Sequence, residues 1–142
     1  MKVVDTFRRL AQGAVAAALV AALVGCSSTP ELARSVAIVE PADGATVTSP
    51  FVVRFGVRGM AVAPAGEILA NSGHHHLLIN TESIPSGESV PFSEKHMHFG
   101  KGQTEAEVKL NPGTYKLTAQ FANGAHQSYG KAMSQTISVI VK

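Results

Sequence analysis

From Val36 to the C-terminus the chain consists of short runs of alternating apolar and polar residues, cut by turn formers. The clearest run is "FVVRFGVRGM", in which Phe51, Val53, Phe55 and Val57 alternate with Val52, Arg54, Gly56 and Arg58. A period of two sets successive side chains on opposite faces of a strand, so this run predicts a strand with one face covered. "SQTISVIVK" repeats the pattern, with Ile137, Val139 and Val141 set against Thr136, Ser138 and Ile140. "HHHLLIN" differs, because Leu77, Leu78 and Ile79 are consecutive and predict a strand covered on both faces. "SVAIVEP", "AEVKL" and "GTYKLTAQFA" supply further strands, and Asp43-Gly44 and Pro112-Gly113 mark turns.

About seven strands at this spacing, with no amphipathic helical pattern after residue 35, predict an all-β domain: an antiparallel β-sandwich of the immunoglobulin-like kind. Tyr115 stands just after Pro112-Gly113 at a strand start. That position suits the tyrosine corner of such sandwiches and equally suits an ordinary β-forming residue; the sandwich does not depend on the choice. Two stretches break the rhythm, "AVAPAGEILANSG" before the histidines and "TESIPSGESVPFSEK" after them. Their Gly, Pro and Ser content predicts long loops, and long loops in a compact domain often carry function.

The first 25 residues are of another kind. Lys2, Arg8 and Arg9 form a basic start and "AQGAVAAALVAALVG" a small apolar stretch, the layout of an export signal. The stretch is short and Ala-rich beside the ~20 strongly apolar residues of a membrane span. Leu23-Val24-Gly25-Cys26 resembles the lipobox of bacterial lipoproteins. That resemblance implies a lipoprotein signal peptide over 1–25, a lipidated tether over 26–35 and a domain over 36–142, with Cys26 acylated as the first residue of the mature chain. Ser27 is the residue type that in Gram-negative lipoproteins permits transfer to the outer membrane. The expected location is therefore the bacterial cell envelope, on the periplasmic side, held to the membrane through the lipid on Cys26.

Cys26 is the only cysteine, so the folded part has neither a disulfide nor a thiolate site. Of the 12 basic and 10 acidic residues, Lys2, Arg8, Arg9 and Asp5 leave with the signal, and nine of each remain. Nothing in that balance marks a nucleic-acid surface.

The remaining chemistry lies in the histidines of "GHHHLLIN" and "HMHF". Strand alternation places His74 and His76 on one face, with His75 opposite beside Leu77 and Ile79; it likewise pairs His96 with His98 and sets Met97 and Phe99 opposite. Imidazoles two residues apart on a strand lie ~7 Å apart along the chain and can lean toward one ion. Two such pairs on neighbouring strands offer His74, His76, His96 and His98 as metal ligands, with His126 of "ANGAHQS" as a fifth. Imidazole suits copper, zinc, nickel and iron, and a cysteine-free site excludes a blue-copper centre. Copper is the expected metal, with zinc second, because copper binds most tightly to a nitrogen site. Met97 reads as core and Glu94 as a solvated loop carboxylate. Two other readings stay open: histidines bracing two long loops in a polar network without an ion, and a pH-responsive cluster. Metal binding requires imidazoles that converge with uncommitted nitrogens, whereas bracing requires imidazoles paired to backbone or carboxylates.

Four segments, "PADGATVTSPFVVRFGVRGMAVAPAG", "NSGHHHLLIN", "HMHFGKGQTEAEVKLNPGTYKLTAQFANGAH" and "SQTISVIVK", resemble a bacterial family of periplasmic and lipoprotein domains known only as a domain of unknown function. The resemblance spans 36–142. Its pattern takes in His74, His75, His76, His96, His98 and His126, with Gly100, Gln103, Thr104 and Glu105. The chain departs from it at Asn80, where an aspartate is usual, and in "HQSYGKAM", where a proline-containing segment is common. The resemblance implies the fold and an intact histidine set; it brings no activity.

"FGKGQTE" lacks the Gly-Lys-Ser/Thr ending of a phosphate loop. It reads as a turn entering an edge strand, or as a segment whose Gln103 and Glu105 reach toward the histidines. The chain contains no G-x-S-x-G and no H-E-x-x-H, and Asp43 is the one aspartate after the signal, so the usual hydrolytic constellations lack their parts. The expectation is a non-enzymatic envelope lipoprotein that binds copper or zinc for delivery, storage or sensing, with a metal-receiving envelope protein as partner. The alternative is a structural or protein-interaction module with structural histidines.

Overall fold

A computed structural model describes residues 33–142. The expected signal peptide, the lipidation site at Cys26 and the tether up to residue 32 lie outside the described residues. Among the described residues nine strands follow in chain order: β1 (Ser35–Glu40), β2 (Thr46–Val47), β3 (Phe51–Arg58), β4 (Ala61–Val62), β5 (Ser72–Ile79), β6 (His96–His98), β7 (Glu105–Val108), β8 (Gly113–Ala122) and β9 (Ser134–Val141). A 3-10 turn, Lys131–Met133, precedes β9.

The strands form two sheets, β1-β3-β7 and β2-β9-β8-β5-β4, with β6 added on β5. Pairing is antiparallel apart from the two-residue strands β2, on β9, and β4, on β5. The domain is an all-β sandwich of the immunoglobulin-like kind: β1, β3 and β7 stand where that fold has A, B and E, and β5, β8 and β9 where it has C, F and G. The tyrosine corner is present as well. Tyr115 Oη donates to the carbonyl of Asn111 at 3.0 Å, closing the β7–β8 connection.

Alternation on β3 builds the core as its pattern predicts. Phe51, Val53 and Phe55 are buried while Val52 and Arg54 face solvent. They meet Leu77, Leu117, Ala119, Phe121, Ile137, Val139 and Val141 of the larger sheet. Cutting one such fully buried leucine to alanine costs about 2–5 kcal/mol, which makes the inter-sheet layer the main source of stability. On the outer face Arg54 bridges Glu40 and Glu105. Glu105 is thereby held away from the histidines, and Gln103 Oε1 accepts from the backbone N–H of Lys101 at 2.8 Å. "FGKGQTE" is therefore a turn leading into the edge strand β7.

Every residue of β5 is buried. One face carries His75, Leu77 and Ile79 into the inter-sheet core; the other carries His74, His76 and Leu78. The 81–95 connection covers that second face, where Val90 and Ile84 pack on Leu78 and Ala122. Gln120, buried on β8 opposite His76, ties this cover down. Its Oε1 accepts from Ile84 N, and its Nε2 donates to the carbonyls of Gly130 and Met133. A connection that reads as a plain loop is thus pinned over the face that bears two of the histidines.

Candidate metal centre

The antiparallel β5–β6 register sets His76 opposite His98, Leu77 opposite Met97 and Leu78 opposite His96. Directly opposed residues share a face, so His74, His76 and His98 open on the same side of the larger sheet. The turn after β8 brings His126 to the same place. Asn123 shapes that turn: its Oδ1 accepts from the N–H groups of Ala125 and Gln127, and its carbonyl accepts from His126 N–H at 2.9 Å. His126 stands there at φ 63, a left-handed conformation that non-glycine residues adopt only when the surroundings hold them.

His74, His76, His98 and His126 each offer a ring nitrogen, and these nitrogens all lie within 4.8 Å of one another. His74 Nε2 is 3.0 Å from His76 Nε2 and 3.1 Å from His126 Nδ1. The His98 ring lies 4.7 Å from that of His126, 5.0 Å from His74 and 5.1 Å from His76, centroid to centroid. Bonds of ~2.0–2.1 Å from an ion to imidazole nitrogen place neighbouring donors about 2.9 Å apart in a square and about 3.4 Å apart in a tetrahedron. The two short separations fall in that interval, so four histidines stand where they could hold a metal ion.

The hydrogen bonding of the group is incomplete. A neutral imidazole has one N–H and one lone pair, so His74 Nε2 cannot form a full hydrogen bond with both nitrogens that face it. Nδ1 of His74, Nδ1 of His76 and Nε2 of His98 are buried and have no hydrogen-bond partner. Burial also keeps these rings neutral. Loss of hydration lowers the pKa of His74 to about 4 and that of His76 to about 3, with the neighbouring imidazoles of the group adding to the effect. Desolvation, then His126, lowers His98 in the same direction. Lone pairs, the form a metal requires, are therefore available at neutral pH.

His96, expected among the four strand-borne donors, is not in the group. The register places it beside Leu78, one pair further along β6, and its Nδ1 lies 2.7 Å from Ser93 Oγ. His75 points to the other face, as alternation predicts: its ring stacks on Phe55 at 5.0 Å and meets the edge of Phe121 at 5.0 Å. Both its ring nitrogens are buried without a partner, and burial lowers its pKa to about 4. Met97 packs on the hydrophobic core and Glu94 is exposed, both as expected.

Two residues of the site carry no sequence signal of this role. A Cβ on Gly100 would lie 2.2 Å from His98 Cε1 and 2.4 Å from its Nε2, so only glycine leaves the His98 ring where it is. Phe92, in the 81–95 connection, is 68% exposed and sets its ring 5.4 Å from His98 and 5.3 Å from His126.

Comparison with known proteins matches residues 53–142 to a family model described as a domain of unknown function, DUF4399. No curated protein and no solved structure matches the chain. The matched segment runs from β3 to the C-terminus and contains all six histidines; the chain belongs to the DUF4399 family of domains of unknown function.

Proposed function

We propose that the protein is an envelope lipoprotein that binds a transition metal at His74, His76, His98 and His126, copper in first place and zinc in second, for delivery, storage or sensing. The observation that carries this reading is the convergence of four imidazoles whose nitrogens face one another and not backbone or carboxylate groups. Bracing histidines would be paired to such groups; these leave three buried nitrogens without any. An ion at the centre would convert the facing nitrogens, among them His74 Nε2, His76 Nε2 and His126 Nδ1, into ligands.

Copper leads because an all-imidazole donor set follows the general affinity order, which peaks at copper. Holding, not turnover, is the proposed role, since four imidazoles fill the positions of a four-coordinate ion and a catalytic ion keeps one open. The lipobox resemblance at Cys26 supports the envelope location and the lipid anchor, and a metal-receiving envelope protein is the proposed partner.

Calorimetric titration with Cu(II) and Zn(II) tests the reading. The expected result is one ion per chain, with copper bound more tightly and binding lost in His74→Ala/His76→Ala. A wild-type protein that takes up neither ion refutes it.

A further inference from the structure

The four donors are mounted in two different ways. His74, His76 and His98 belong to strands held by ladder hydrogen bonds, and His74 and His76 are 0% and 1% exposed. His126 belongs to a turn, and it and His98 are the more exposed pair.

The turn does not stand alone. The 87–90 segment runs beside it: Val90 N–H donates to His126 O at 2.9 Å, Ser128 N–H to Glu88 O at 2.8 Å and Gly87 N–H to Ser128 O at 2.9 Å, with Ser89 bridged to Gln127. Two residues further on, the Phe92 ring lies nearly perpendicular to those of His98 and His126. A large aromatic side chain left mostly in water adds little to the stability of the fold. This one instead covers the side of the cluster where the outer donors stand, and Val90, two residues before it, is hydrogen-bonded to His126.

We infer that Phe92 gates the exchange of the ion: the ion enters and leaves between His98 and His126, and the 87–92 segment with its Phe92 ring moves together with the His126 turn to open that path. The inference rests on the metal reading above. The inner side is closed by β8, where Ala122 and Gln120 oppose His74 and His76, so the His98–His126 edge is the way in. His126 is the donor that can withdraw without breaking a ladder. Its departure leaves three strand-borne imidazoles on the ion and one coordination position for an incoming nitrogen or sulfur donor of a receiving protein.

The test is the rate of Zn(II) transfer from the purified, zinc-loaded protein to the chelator 4-(2-pyridylazo)resorcinol, followed by stopped flow, in wild type, Phe92→Ala and Phe92→Leu. Removing a gate speeds passage in both directions, so association and release in Phe92→Ala should each rise about tenfold while Kd stays within about threefold, with Phe92→Leu intermediate. An unchanged unfolding midpoint shows that Phe92→Ala has left the fold intact. Unchanged rates overturn the inference. So does a faster release matched by an equal rise in Kd, because Phe92 would then stabilise the bound state and not control passage. A wild type that cannot be loaded with zinc or copper fails earlier, at the loading step, and refutes the site as well as its gate.

Discussion

His76 and His98 are direct partners across the β5–β6 ladder, with ring centroids 5.1 Å apart. A slip of two residues in that register would bring His96 opposite His76 and His98 opposite His74, so that both would face the cluster. The pairing therefore decides which member of "HMH" serves the site. His98→Ala should weaken metal binding on the order of a hundredfold, because losing a ligand costs at least as much as losing the partner that orients one. His96→Ala should leave affinity within about threefold, since its imidazole meets Ser93 and solvent. Parallel titrations of the two variants check the difference.

Gly100 sets the position of His98 through the space it leaves empty. In Gly100→Ala the added methyl meets the imidazole at 2.2 Å, so the ring must rotate away from the group. Metal affinity should fall about tenfold or more while the unfolding midpoint in the absence of metal changes by only a few degrees. A variant that binds as tightly as wild type would show that His98 is not a ligand.

His75 shares the triplet with two proposed ligands and has a different part. Its ring lies between Phe55 and Phe121 with neither nitrogen paired. A buried polar group without a partner costs about 1–3 kcal/mol. His75→Leu removes that cost at similar volume and should stabilise the domain on the order of 1 kcal/mol, leaving metal stoichiometry unchanged. Urea unfolding of the two proteins measures the first effect and titration the second.

Acid should destabilise the metal-free domain over a defined interval. His74 and His75 have pKa values lowered to about 4, and His76 to about 3, against 6.5 in an unfolded chain. Between these values the unfolded chain binds more protons than the folded one, so stability rises with pH. The stability these neutral rings contribute is complete above pH 6.5 and is lost progressively as pH falls toward 4, each ring adding up to about 1.4 kcal/mol per pH unit. A bound ion, which competes with protons for the same lone pairs, should displace the loss to lower pH. Thermal unfolding from pH 7.5 to 4, with and without Cu(II), reads both.

Much of this arrangement is legible in the sequence, and the reason differs from part to part. β3 and β9 announce themselves because one face meets the core and the other water, which writes a period of two into the chain. The same rule separates His74 and His76 from His75. β2 and β4 escape notice because two residues carry no period. The exclusion of His96 is not legible either: β5 and β6 are joined by the long 80–95 connection, which leaves their register free, whereas a tight hairpin turn would have fixed it. The part of Phe92 depends on its approach to His126, remote in sequence, and that of Gly100 on the orientation the His98 ring takes two residues upstream; local patterns encode neither. Tyr115 is the opposite case, since its partner is the carbonyl of Asn111, only four residues upstream.

X-ray absorption of the copper-loaded protein addresses the central claim most directly. The account predicts three to four imidazole nitrogens at about 2.0 Å, with the multiple scattering of imidazole rings, a spectrum unchanged in His96→Ala and a shell reduced in imidazole in His76→Ala. A shell of water and carboxylate oxygens, or a spectrum that stays the same when His76 is removed, would contradict it.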